Sequence, residues 1–200
     1  MRIPRHVGII PDGNRRWAKG QSMDKKEGYQ HGLNPGLEVL KEAMRFGVNE
    51  LTYYGFTVDN CKRPKEQIQA FQQACIDAVK LIENETVSLL VVGNVQSKFF
   101  PEELLPYIMR KEEDNSKMKV NFLVNYGWDW DLRNGFCSKA ISRMDMIIRW
   151  GGMCRLSGFL PIQSVYADFY VIKDLWPDYK KEHFEEAINW YQKQDVTLGG

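Results

Sequence analysis

The chain has 200 residues, 44% hydrophobic and 26% charged. This suits one soluble domain spanning residues 1–200 and excludes collagen-like, disordered and disulfide-scaffold chains. A chain of this length buries roughly 70% of its unfolded surface, enough for a true core. The net charge is +1, from 27 Lys and Arg against 26 Asp and Glu, which argues against a nucleic-acid binder with its basic excess.

Short apolar runs alternate with helical patterns along the chain. Candidate strands are 6–10, 50–56, 87–93, 119–125, 145–149 and 169–172. Several are near-continuous β-branched or aromatic runs, as strands buried on both faces require. Residues 33–46 place Leu33, Leu37, Leu40 and Met44 on one helical face and stop at Gly47. Residues 64–83 open on a proline, which suits a first helical turn, and stack Ile68, Phe71, Cys75, Ala78 and Ile82. Residues 101–110, 131–142, 157–166 and 181–192 are further candidate helices. The alternation predicts an α/β fold with a central, mainly parallel six-stranded sheet flanked by helices.

The four cysteines, Cys61, Cys75, Cys137 and Cys154, form no CxxC pair and read as reduced thiols of a cytoplasmic protein. No apolar run approaches the roughly 20 residues of a membrane-spanning helix.

Ligands on parallel sheets bind beyond the carboxyl ends of the strands. Three loops there hold the unusual residues. Asp12, Gly13, Asn14, Arg15, Arg16 and Trp17 follow the first strand. Thr57, Val58, Asp59 and Asn60, with Arg63, follow the second. Arg149, Arg155, Leu156 and Ser157 follow the fifth. Any one arginine alone reads best as a surface residue. Arg16, Arg63, Arg149 and Arg155 at one sheet edge instead suit a ligand with several phosphate charges, because guanidinium forks match phosphate oxygens. A carboxylate among them suits Mg²⁺, which binds through one or two carboxylates and substrate phosphates. The chain has no GxxxxGK[ST], no GxGxxG after the first strand, no GxSxG and no Asp-Asp pair. Those absences exclude P-loop, dinucleotide and nucleophile-elbow readings and the aspartate-rich motif of the helical trans-prenyltransferases.

Six segments in order resemble the cis-prenyltransferases, the undecaprenyl diphosphate synthase family. They are 6–18 (HVGIIPDGNRRWA), 54–64 (YGFTVDNCKRP), 125–127 (NYG), 147–157 (IIRWGGMCRLS), 163–168 (QSVYAD) and 175–178 (LWPD). The resemblance implies condensation of isopentenyl diphosphate with an allylic prenyl diphosphate, forming a cis double bond. It implies Mg²⁺ on Asp12, with Asp168 in place of the family's glutamate as second metal ligand. It places the allylic diphosphate on Gly13, Asn14, Arg15 and Arg16. Asn60 falls at the position assigned to proton removal, though an amide is a weak base and the departing diphosphate is an alternative acceptor. Arg149, Arg155 and Ser157 would bind isopentenyl diphosphate. The growing chain needs an apolar tunnel, for which helices 33–46 and 64–83 are candidates. A homodimer and peripheral membrane contact are further family expectations.

The chain also departs from the family pattern. Lys25 stands for Arg, Tyr29 for His, Cys61 for Trp, Trp150 for Thr, Met153 for Glu and Gly158 for Asn. The tail 195–200 lacks the family's usual endings. The stretch between Asn125 and Ile147 is short, as if a helix were lost or the chain joined across a gap. These departures keep open irregular coupling or cyclisation of an allylic diphosphate on the same fold, and a non-catalytic lipid-binding role.

Overall fold

A computed structural model describes residues 2–110 and 116–195. Six strands form one sheet: β1 (His6–Ile10), β2 (Glu50–Tyr54), β3 (Val87–Val92), β4 (Met118–Leu123), β5 (Met146–Arg149) and β6 (Asp168–Val171). Their order is β3-β4-β2-β1-β5-β6, and every neighbouring pair is parallel. The sheet is therefore wholly, not mainly, parallel. β1, β3 and β5 are buried along their whole length, and β2 along all but Tyr54 at its end, which is why they carry apolar runs on both faces.

Helices α1 (Asn14–Gly20), α2 (Leu33–Phe46), α3 (Lys65–Glu83), α4 (Trp128–Arg133) and α5 (Lys181–Tyr191) connect and flank the strands. α2 packs against both α3 and α5 and ends where Gly47 adopts φ 81°, the left-handed cap that favours glycine. The larger core lies on this side of the sheet, around Val39, Leu40, Val79, Phe184 and Ile188. A smaller core on the other face gathers Ile10, Leu123, Tyr126, Ile147, Phe159 and Leu160. Among the described residues no long helix covers it; the segments 128–144 and 156–167 do.

Three expected helices are not formed as predicted. Residues 157–166 make turns, because Ser157, Gly158 and Leu160 hold positive φ and Pro161 disfavours helical geometry before it. The span 131–142 breaks at Gly135 and Phe136, also at positive φ. Within 101–110 only a 3₁₀ turn, Glu102–Tyr107, forms around Pro106. α1 was not expected from periodicity. Of the tail reading, 196–200 lie outside the described residues.

β1 lies between β2 and β5, where the direction of the crossovers reverses. That switch point opens a crevice beyond the carboxyl ends of β1 and β5. Ile10, the last residue of β1, pairs in register with Arg149, the last residue of β5.

Candidate active site

Asp12 leaves β1 two residues after Ile10, and its backbone N–H donates to the Ile10 carbonyl at 3.0 Å. Its carboxylate is one-third exposed. Oδ2 accepts from Arg149 Nη2 at 2.8 Å, and Oδ1 lies 3.5 Å from Arg16 Nη2. Arg149 is 5% exposed. Its Nη1 donates to Ser157 Oγ at 3.0 Å and to the Arg155 carbonyl. Its Nε is buried without a partner, as is Asn14 Oδ1. Unpaired buried polar atoms are costly, and here one of them is a donor at the edge of a polar cleft.

That cleft has a volume of about 560 Å³. Asp12, Gly13, Asn14, Arg15, Arg16, Lys25, Tyr29, Thr57, Asp59, Asn60, Arg63, Arg149, Arg155 and Ser157 all line it. Three loops far apart in sequence thus meet around one carboxylate. Gly151 shows how close they come: at φ 86°, a Cβ there would fall 2.4 Å from Arg16 Nη2 and 3.1 Å from the Asp12 carbonyl oxygen. Only glycine fits.

Asn60 sits in the 3₁₀ turn Val58–Lys62, and its Oδ1 accepts from the Thr57 backbone N–H at 3.0 Å. Its amide NH₂ is left for the cleft. Tyr54, at the end of β2, donates to the Ser157 carbonyl at 2.7 Å, and burial pushes its phenol up. Arg63 Nη1 donates to Tyr29 Oη at 3.0 Å. Burial lowers the Arg63 guanidinium and raises the Tyr29 phenol.

Other expected site residues are turned elsewhere. Trp17 donates to Asp178 Oδ1 at 2.7 Å and its ring meets His31. Val58 packs on Gly127. Cys61 packs against the larger core and Leu156 against the smaller one. Asp168 opens β6 level with Met146, which is level with Val7, at the amino ends of the strands. Asp12 lies past the other end of β1, beyond the three-residue rise from Val7 to Ile10, roughly 10 Å in the strand direction. Asp168 instead lies 3.9 Å from Arg2. One chain therefore does not bring Asp12 and Asp168 onto a common metal. Lys19 and Tyr54 line the cleft outside the expected site residues, and Met153, which stands for the family's Glu, lines it too. For Lys19 the spacing from Arg15 and Arg16 along one helix face was a readable signal.

Among the described residues no three His, Cys, Asp or Glu side chains gather as a metal cage. Of the two carboxylates lining the cleft, Asp59 is exposed and paired with Lys62 at 2.7 Å; Asp12 fits Mg²⁺, which would be held jointly with substrate phosphates and water.

Beside the cleft lies a smaller apolar chamber of about 70 Å³, between α2, α3 and the sheet, lined by Leu33, Gly36, Tyr53, Ala74, Cys75, Ala78, Ile82 and Phe122. Tyr29 and Phe71 line both spaces. Their rings stack at 4.5 Å and 6°, a partition between them.

The family model described as putative undecaprenyl diphosphate synthase matches residues 10–140 and 133–199. An isoprenyl transferase of Thermotoga maritima is 32% identical over 231 aligned positions, covering 100% of this chain and 98% of that protein. A ditrans,polycis-undecaprenyl-diphosphate synthase, (2E,6E)-farnesyl-diphosphate specific, of Pectobacterium atrosepticum is 31% identical over 98% of this chain and 90% of its own length. The alignments are longer than the chain, and the two family segments meet at 133–140, within the short stretch between Asn125 and Ile147. The crystal structure of lavandulyl diphosphate synthase from Lavandula x intermedia, in complex with dimethylallyl diphosphate, shares the fold. Its TM-score is 0.82 at 22% identity, over 99% of both chains.

Proposed function

Because this chain belongs to the undecaprenyl diphosphate synthase family, we propose that it condenses isopentenyl diphosphate with an allylic prenyl diphosphate, extending the chain by one cis unit. The observation that carries this reading is the clasp of Asp12 by Arg149 and Arg16 at the mouth of the cleft, with an apolar chamber beside it.

The allylic diphosphate lies on Gly13, Asn14, Arg15 and Arg16, its hydrocarbon directed to the chamber. Isopentenyl diphosphate lies on Arg149, Arg155 and Ser157. The isopentenyl double bond attacks the allylic C1, and the C1–O bond breaks with its electron pair leaving on the diphosphate. A proton then leaves the isopentenyl C2 for an oxygen of that diphosphate. The Asn60 amide oxygen is taken by Thr57 N–H, which supports a role for Asn60 in orienting the diphosphate through its NH₂ rather than taking the proton. Arginines aimed at the leaving oxygens stabilise charge where it develops. Mg²⁺, when held by Asp12, neutralises the same group.

We read the assembly as a homodimer. β6 is a half-buried edge strand, and Ile162, Val165 and Tyr166 are exposed beside it. Such a face is protected by pairing. Among the described residues no helix is long and apolar enough to cross a membrane.

The test is an assay with Mg²⁺, labelled isopentenyl diphosphate and a panel of allylic diphosphates. Label entering longer diphosphates is the expected result. Consumption of the allylic substrate without label overturns the reading in favour of cyclisation or irregular coupling.

A further inference from the structure

We infer that His183, outside the cleft, is a positioning residue that sets both arginines clasping Asp12. This rests on the diphosphate reading of the cleft. His183 lies in the first turn of α5 and is 9% exposed. Its Nδ1 accepts from the Trp150 indole N–H at 3.3 Å and from the Lys180 backbone N–H at 3.2 Å. Two donors on Nδ1 leave the ring hydrogen on Nε2. Nε2 lies 3.0 Å from Asp174 Oδ2 and donates to it.

Each partner leads to one arginine. Trp150 is the residue after Arg149. It is wholly buried, and its ring meets Trp176 at 4.8 Å and 81°. Asp174 uses its backbone carbonyl to accept from Gly151 N–H at 2.8 Å. Gly151 in turn accepts from Arg16 Nη2 at 2.9 Å. The next turn adds a third tie, because Trp176 N–H donates to the Asp12 carbonyl at 3.0 Å. One imidazole therefore fixes the arginine of each diphosphate position through a separate branch. Hydrogen bonds that orient binding groups from behind are worth on the order of 10- to 100-fold in affinity or activity.

Two isosteres separate the branches. His183→Asn keeps an acceptor at the Nδ1 position, for Trp150, and loses the donor to Asp174. His183→Gln reaches Asp174 with a donor and loses the acceptor. His183→Leu loses both. The full chain and these variants are titrated with inorganic pyrophosphate by calorimetry, with melting temperatures recorded in parallel. His183→Leu is expected to bind about 10-fold more weakly, with His183→Asn and His183→Gln between it and the unmodified chain. In turnover, His183→Gln raises the KM for isopentenyl diphosphate and His183→Asn that for the allylic substrate. Folded variants that bind pyrophosphate as the unmodified chain does, with only the melting temperature lowered, overturn the inference. If His183→Leu fails to fold, the Asn and Gln variants decide on the same criterion. An unmodified chain that folds and binds no pyrophosphate overturns the diphosphate reading itself, and this inference with it.

Discussion

Arg149 donates to Asp12 at 2.8 Å across 137 residues of chain. Arg149 ends β5 and Asp12 lies two residues past the end of neighbouring β1, at the point where the crossovers change direction. In the function proposed above, Asp12 would hold the cation and Arg149 a phosphate, so a cation reaching Asp12 would free one guanidinium nitrogen for a diphosphate oxygen.

Replacing Asp12 with Ala removes the acceptor for Arg149 and the counter-charge of both guanidinium groups, leaving Arg149 buried without its partner. The expected loss in kcat is roughly 10²- to 10³-fold, the size found when one charge-stabilising group is removed. Steady-state kinetics at saturating Mg²⁺ checks it. An unchanged kcat rules out Asp12 as the anchor.

Arg149→Lys keeps the charge and loses the fork that spans Asp12, Ser157 and the Arg155 carbonyl. A point charge does not replace bidentate geometry. The KM for isopentenyl diphosphate should rise about 10-fold, equivalent to roughly 1.4 kcal/mol, while that for the allylic substrate changes less. Equal shifts in both constants would assign Arg149 to the wrong substrate.

Phe71→Ala removes half of the aromatic partition between cleft and chamber. Its edge-on contact with Phe56 and its stack on Tyr29 are lost, and the two spaces merge. Longer products, or acceptance of longer allylic starters, should follow and are read by chromatography of the dephosphorylated products. Phe71→Leu, which fills part of the gap, should lie between. An identical product distribution in all three proteins shows that the partition does not limit the chain.

His6 is buried at the amino end of β1, with Nε2 2.8 Å from Thr52 Oγ1 and Nδ1 3.0 Å from the Ser142 carbonyl oxygen. Burial holds its pKa below the ordinary value of 6.5. The unfolded chain then binds the proton that the native chain refuses. Stability is complete above pH 6.5 and falls as pH drops below it, toward the lowered native value. Melting temperatures between pH 7.5 and 5.5 should decline, and His6→Gln should flatten the decline. A slope unchanged by that substitution assigns the acid sensitivity to other groups.

Much of the fold is legible before any coordinates. α2 begins and ends where periodicity and Gly47 say, because an apolar stripe at helical spacing and a left-handed cap are local properties. The six strands lie within two residues of their apolar runs, since most are buried and carry only a few polar positions, such as Glu50, Thr52 and Asn121, to blur them. The arginines and Asp12 are legible too, because carboxyl-end loops of a parallel sheet share one edge whatever the sheet's order.

The rest was decided by tertiary structure. The predicted strand 169–172 puts Asp168 at its amino end, but only the register with Met146 and Val7 shows that this is the sheet edge opposite Asp12. Trp17, Val58, Cys61 and Leu156 neighbour binding residues in sequence, yet short turns send alternate side chains into the core or toward Asp178. Ser157 and Gly158 abandon helical geometry because the Ser157 hydroxyl is held by Arg149 and its carbonyl by Tyr54. His183 carries no motif at all. Its importance comes from packing, which brings one imidazole from α5 against the indole that follows β5. Local chemistry determined which elements exist and which charges share an edge. Long-range packing determined which atoms face the cleft, because only the folded sheet brings residues more than a hundred positions apart within hydrogen-bond reach.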